Sequence, residues 1–98
     1  MRYNGDEALG LVETIGLVPA LEAADKMLKA SNVELVSYEN VGSTLVTIMV
    51  KGDVAAVRSA VEAGAEAAAA IGKLTAKNVM PRPIRQVGEI VSVHDVDL

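Results

Sequence analysis

The stretch VELVSYENVGSTLVTIMVK, residues 33–51, decides the reading of this chain. Residues 33–39 and 44–51 are two runs rich in β-branched side chains. Between them Asn40-Val41-Gly42-Ser43 is a short loop containing glycine, so the segment predicts a hairpin. Leu45 through Val50 is apolar on both faces, which predicts a strand covered from both sides. On the downstream side, Asp53 is placed to cap a helix over residues 54–71 by accepting from its free N–H groups. Val54, Val57, Val61, Gly64, Ala65 and Ala68 form the expected inner face of that helix, and Gly72 is its stop. Gly64 costs about 1 kcal/mol relative to alanine inside a helix, a cost that a close backbone approach would justify.

On the upstream side, residues 8–14 predict a strand broken at Gly16, and Pro19 suits the first turn of a following helix. Leu17, Ala20, Leu21, Ala24, Leu28 and Ser31 recur on one face of it at helical spacing. Its polar side carries the i,i+4 pairs Glu22–Lys26 and Asp25–Lys29. Beyond the second helix, residues 75–80 predict a last strand, ended by Pro81-Arg82-Pro83, which cannot continue a ladder. Residues 84–90 predict a short helix and 91–98 a loose tail. The order βαββαβ plus a C-terminal helix is the ferredoxin-like α+β plan, an antiparallel sheet with two helices on one face. One domain over residues 1–98 is expected, with about 7–90 as its folded core.

Composition adds a second constraint. The 98 residues include 15 Ala and 15 Val, while Tyr3 and Tyr38 are the only aromatics. A core of small side chains requires closely approaching elements. Half of the chain, 51%, is hydrophobic, too much for so small a body to hide alone, which predicts that other copies cover some of it. The absence of cysteine excludes disulfides and thiolate chemistry and fits a cytoplasmic location. No apolar run is long enough to span a membrane, since Glu66 interrupts the longest, and residues 1–7 do not resemble a secretory signal. A net charge of −4 with two aromatics argues against nucleic acid as a partner.

Enzyme chemistry finds little support. His94, the one histidine, stands near Asp95 and Asp97 in the tail, with no further metal ligands in view. Ser43-Thr44 beside Gly42 lacks the lysine and glycine spacing of a phosphate-binding loop. Glu13 is a lone carboxylate, expected in a structural ion pair. No catalytic residue, metal site or cofactor is therefore expected.

Five blocks in order carry a resemblance. They are Glu7-Ala8-Leu9-Gly10-Leu11-Val12-Glu13-Thr14, Leu21-Glu22-Ala23-Ala24-Asp25, Tyr38-Glu39-Asn40-Val41-Gly42-Ser43, Val50-Lys51-Gly52-Asp53-Val54 and Pro81-Arg82-Pro83. Together they resemble the hexamer-forming shell proteins of bacterial microcompartments, above all those of propanediol- and ethanolamine-type metabolosomes. The resemblance implies a cyclic homohexamer that tiles edge to edge with itself and with other shell proteins around encapsulated enzymes in the cytoplasm. It implies that Asn40, Val41, Gly42 and Ser43 converge on the sixfold axis as a pore for small polar metabolites, where Gly42 permits crowding that a Cβ would block. It places Lys29, Asn32 and Arg82 on the hexamer–hexamer edge. Thr44 departs from the glycine common after that serine, and Leu45 from the basic residue often found in carboxysomal relatives. The same fold also hosts small-molecule-binding regulatory domains, which would take a metabolite at a subunit cleft and would not tile.

Overall fold

Along strand β1, Ala8–Ile15, successive side chains point to opposite faces of a sheet. Ala8 and Val12 enter a core beneath two helices, while Leu9 and Leu11 join a smaller cluster on the other side. The structure, a computed structural model, describes Tyr3 and residues 5–42 and 44–93. After β1 come α1 (Leu17–Ala30), β2 (Glu34–Val41), β3 (Leu45–Gly52), α2 (Val54–Ile71), β4 (Lys73–Met80) and α3 (Arg85–Ser92). All the pairings are antiparallel and the strand order is β2-β3-β1-β4, so the expected ferredoxin-like plan is the observed one. Helices α1 and α2 cover one face; α3 lies over part of the other.

The hairpin is tighter than its sequence suggests. Pairing of β2 with β3 runs to Asn40 opposite Val46 and Val41 opposite Leu45, so both residues belong to the ladder and not to the loop. Gly42, at φ +62°, supplies the left-handed residue that lets so short a turn reverse the chain. Strand β4 likewise starts earlier than expected, at Lys73, because Ile15 and Thr14 of β1 pair with Lys73 and Leu74.

The helices pack through their smallest residues. In α1 the buried residues are Pro19, Ala20, Ala23 and Met27, so the expected inner face is rotated. Leu17, Leu21 and Leu28 remain 44%, 55% and 42% exposed. The reason lies at Gly64 of α2. A Cβ there would come within 2.8 Å of Met27 Sδ and 3.1 Å of the Ala23 carbonyl oxygen. The α1 face that fits this close contact is the alanine face, not the leucine face. Gly10 makes the same accommodation in the sheet, where a Cβ would meet Val57 Cγ1 and Val61 Cγ2 at 2.7 Å. Asp53 caps α2 by accepting from the Ala55 N–H at 3.3 Å. Val54, at the first position of that helix, is exposed and not part of its inner face. Gly72 ends α2 with an extended backbone; its lack of a Cβ leaves room for Pro19.

Gly64→Ala should therefore destabilise, although alanine is the better helix former. Overpacking costs about 1–3 kcal/mol against a propensity gain of about 1 kcal/mol. A fall of several degrees in the thermal midpoint checks this; an unchanged or raised midpoint contradicts it.

Packed residues extend beyond the expected 7–90 at both ends. Tyr3 is fully buried, and Val91 in α3 is 5% exposed, so neither belongs to a loose segment. Residues 94–98, the rest of the expected tail, lie outside the described residues, and with them His94, Asp95 and Asp97.

Candidate functional site

The registers place the two groups of candidate residues at opposite ends of one sheet. At one end Val41, Leu45, Ile15 and Lys73 form a row across all four strands, and Gly42 and Thr44 lie just beyond it. At the other, Glu34, Lys51, Leu9 and Met80 form a row. The rows are six residues apart on β3, or about 20 Å along an extended strand.

The loop end is fixed from outside the hairpin. The Gly16 N–H, at the β1–α1 corner, donates to the Thr44 carbonyl at 2.7 Å, and the Thr44 hydroxyl donates to the Gly42 carbonyl at 3.3 Å. Thr44 thus ties the turn to the corner that starts α1. A Cβ on Gly42 would meet nothing within 4 Å in this chain. Within one protomer, glycine is favoured there by the φ of +62° and not by crowding. Asn40 and Gly42 are exposed; Ser43 and the Val41 side chain lie outside what is described.

The opposite end gathers Lys29, Asn32 and Arg82. Lys29 closes the last turn of α1, where a cation suits the helix dipole. Its ammonium pairs with Asp25 at 3.0 Å, yet its side chain is 71% exposed. Asn32 lies in the turn that leads into β2, and Arg82 in the Pro81-Arg82-Pro83 link after β4; both are exposed. Since β2 and β4 are the two outer strands, Asn32 and Arg82 leave the same end of the sheet from its opposite edges.

Glu13 is held otherwise than its isolation in sequence suggests. Its carboxylate accepts from the Thr75 hydroxyl at 2.9 Å and the Thr47 hydroxyl at 3.3 Å, a bridge across three strands, and among the described residues no cation pairs with it. Strand pairing supplies those partners from 34 and 62 residues away. Among the described residues no group of three or more His, Asp or Glu is placed to hold a metal.

The β2 flank carries a feature that no local pattern marks. Leu17, Leu21 and Ala24 of α1 with Leu35, Tyr38 and Ile48 of the sheet line a wholly apolar depression of about 350 Å³. The exposed leucines of the rotated α1 face were its only signal. Strand β4, on the other flank, leaves most of its side chains exposed.

These observations define an α+β domain with a glycine turn at one end of its sheet and basic residues at the other. The BMC domain matches residues 8–83, so the chain belongs to the BMC-domain family. It is 55% identical over 85 residues to the bacterial microcompartment shell protein PduA of Citrobacter freundii, covering 87% of this chain and 91% of that one. It is 48% identical to the bacterial microcompartment shell protein EutM of Escherichia coli K12, covering 89% and 90%. The carboxysome shell protein CsoS1A of Hydrogenovibrio crunogenus is also 48% identical, covering 89% and 92%. Among solved structures, a microcompartments protein from Desulfitobacterium hafniense superposes with a TM-score of 0.78 at 33% identity. That match covers 95% of this chain and 51% of that one, so this chain spans about half of the solved protein.

Proposed function

We propose that this protein is a structural shell subunit of a bacterial microcompartment, working as a cyclic homohexameric tile and not as an enzyme. The observation that carries the reading is the opposition of the two ends of the sheet. When copies close a ring with their Gly42 turns inward, Lys29, Asn32 and Arg82 of every copy fall on the rim. The hairpin turns then line a central hole, and the rim residues meet the neighbouring tile. Leu45, where carboxysomal relatives often carry a basic residue, favours a metabolosome, and the 55% identity to the shell protein PduA exceeds the 48% identity to the carboxysome shell protein CsoS1A.

The flanks support ring closure. A closed ring needs two different patches on each copy, one meeting the other on its neighbour. The apolar depression on the β2 flank and the exposed β4 flank are two such patches. Burying Leu17, Leu21 and Tyr38 against a neighbour would also account for apolar surface that one chain leaves bare. The regulatory-domain alternative would also bury surface at a subunit cleft, but it would not tile.

At the centre, Asn40, Val41, Gly42 and Ser43 line the pore. Backbone N–H groups and the serine hydroxyl replace part of the hydration of a small polar metabolite in transit. At the rim, the Lys29 stem lies along the next tile while its ammonium donates to backbone carbonyls there. Arg82, stiffened by two prolines, offers its planar donors to the same kind of acceptor. Other shell proteins join through equivalent edges, and the enclosed enzymes are the cargo.

Light scattering after size exclusion tests the ring. The expected particle is about six times the 10.2 kDa of one chain. A stable monomer or dimer at micromolar concentration would overturn the reading.

A further inference from the structure

Tyr3 is fully buried although it precedes the first strand. Gly5, at φ +90°, takes a left-handed conformation between Tyr3 and the first strand. The Tyr3 hydroxyl donates to the Glu7 carbonyl at 2.7 Å. Glu7 in turn pairs through its carboxylate with Lys51 of β3 at 3.1 Å, where the lysine side chain is only 11% exposed. The segment is thus fixed at its root and presents one aromatic ring. Burial, with the charges of Glu7 and Asp6 adding to it, pushes the Tyr3 phenol up.

That ring joins Leu9, Val36 and Val91 in a cluster separate from the core under α1 and α2. Gly88 of α3 lies against it; a Cβ there would sit 3.4 Å from Tyr3 Cε2. Helix α3 has only eight residues and no side-chain cap at Ile84, too little to persist without tertiary contacts. Val87 and Val91 pack in the same cluster as Tyr3 and the sheet residues, while Gly88 lies against the tyrosine ring. Both the N-terminal segment and α3 lie outside the residues 8–83 shared with the family.

We infer that Tyr3 is a pin: the N-terminal strap and α3 form one unit that opens from the sheet together, without disturbing the main core. When it opens, the apolar strip of Leu9, Leu11, Val36 and Met49 is uncovered. One face of the sheet then has two states, covered and bare. The Gly42 turn and Lys29 take no part in the change, because neither belongs to the cluster.

Hydrogen exchange on the full-length, assembled protein tests this. In Tyr3→Ala, amides of residues 88–92 should exchange about a hundredfold faster, the scale of losing a buried aromatic side chain, while β1 and β3 amides stay near wild type. Tyr3→Phe keeps the ring and loses only the bond to Glu7, so its α3 amides should stay within about tenfold of wild type. Unchanged α3 exchange in Tyr3→Ala would overturn the inference, as would β1 and β3 amides accelerating in step with α3. A Tyr3→Ala protein that fails to fold would shift the decision to the wild type in mild denaturant. There α3 should open at lower denaturant than β1, and simultaneous opening overturns the inference.

Discussion

Lys29→Asp should leave the ring at full mass and abolish its assembly into sheets. In one chain the lysine does little. Its pair with Asp25 is an exposed i,i+4 contact, a kind worth about 0.3–0.5 kcal/mol. Its weight comes from repetition at the proposed edge, where two lysines meet across each twofold contact. A hydrogen bond from a charged donor contributes about 1 kcal/mol or more net. Each tile in a hexagonal layer owns about three shared edges, so the lysines supply roughly 6 kcal/mol per tile, or about 10⁴-fold in the concentration needed to assemble. Aspartate removes those donors and sets a carboxylate against backbone carbonyls. It also stands one turn from Asp25, where like charges repel. Light scattering for the ring and negative-stain images for sheets read the two levels separately. Loss of the ring would mean that Lys29 belongs to the subunit interface. Sheets at wild-type concentration would mean that it is not at the edge. Asp25→Asn removes the intrachain pair and keeps the lysine, so it should assemble at least as readily as wild type.

The same separation between one chain and many copies explains what could be read from sequence. The strand and helix order was legible because alternation, helical spacing, Asp53 and the glycines are local signals. The α1 face was not. Leu17, Leu21 and Leu28 are as apolar as Ala20, Ala23 and Met27, and periodicity registers hydrophobicity without saying which chain covers it. The contacts of Gly64 with Met27 and Ala23, and of Gly72 with Pro19, select the alanine face. Gly64 itself was readable as a close approach because its helical cost needed a reason. The sequence locates the loop in its general position, but nothing local marks Asn40 and Val41 as belonging to the last pairs of a ladder. Nor could the tie from Gly16 to Thr44 be foreseen, since it joins two corners 28 residues apart. The partners of Glu13 and the burial of Tyr3 are hidden for related reasons. The hydroxyls on Glu13 arrive from distant strands, and a lone tyrosine in a polar leader carries no periodicity at all.

At the proposed pore the largest effect is expected from Ser43→Leu, which should slow entry of small polar substrates into intact shells by about a hundredfold. A solute squeezed into the turn ring gives up water hydrogen bonds and recovers part of them from the loop. Serine can both donate and accept, and leucine can do neither. Forfeiting two or three such hydrogen bonds, at about 1 kcal/mol each, slows passage roughly 30- to 200-fold. Six isobutyl groups in the bore add steric closure to that loss. The turn should survive the change because Gly42 keeps its left-handed φ and Thr44 stays held by Gly16. The check is the turnover of an enclosed enzyme, compared between intact and deliberately broken shells. Broken shells of wild type and variant should turn over equally, which isolates permeation from catalysis. If intact variant shells also match intact wild type, substrates cross elsewhere and the turn is not their route. A slowed apolar solute of the same size would assign the effect to closure alone; a polar solute slowed further assigns the remainder to the hydrogen bonds of Ser43.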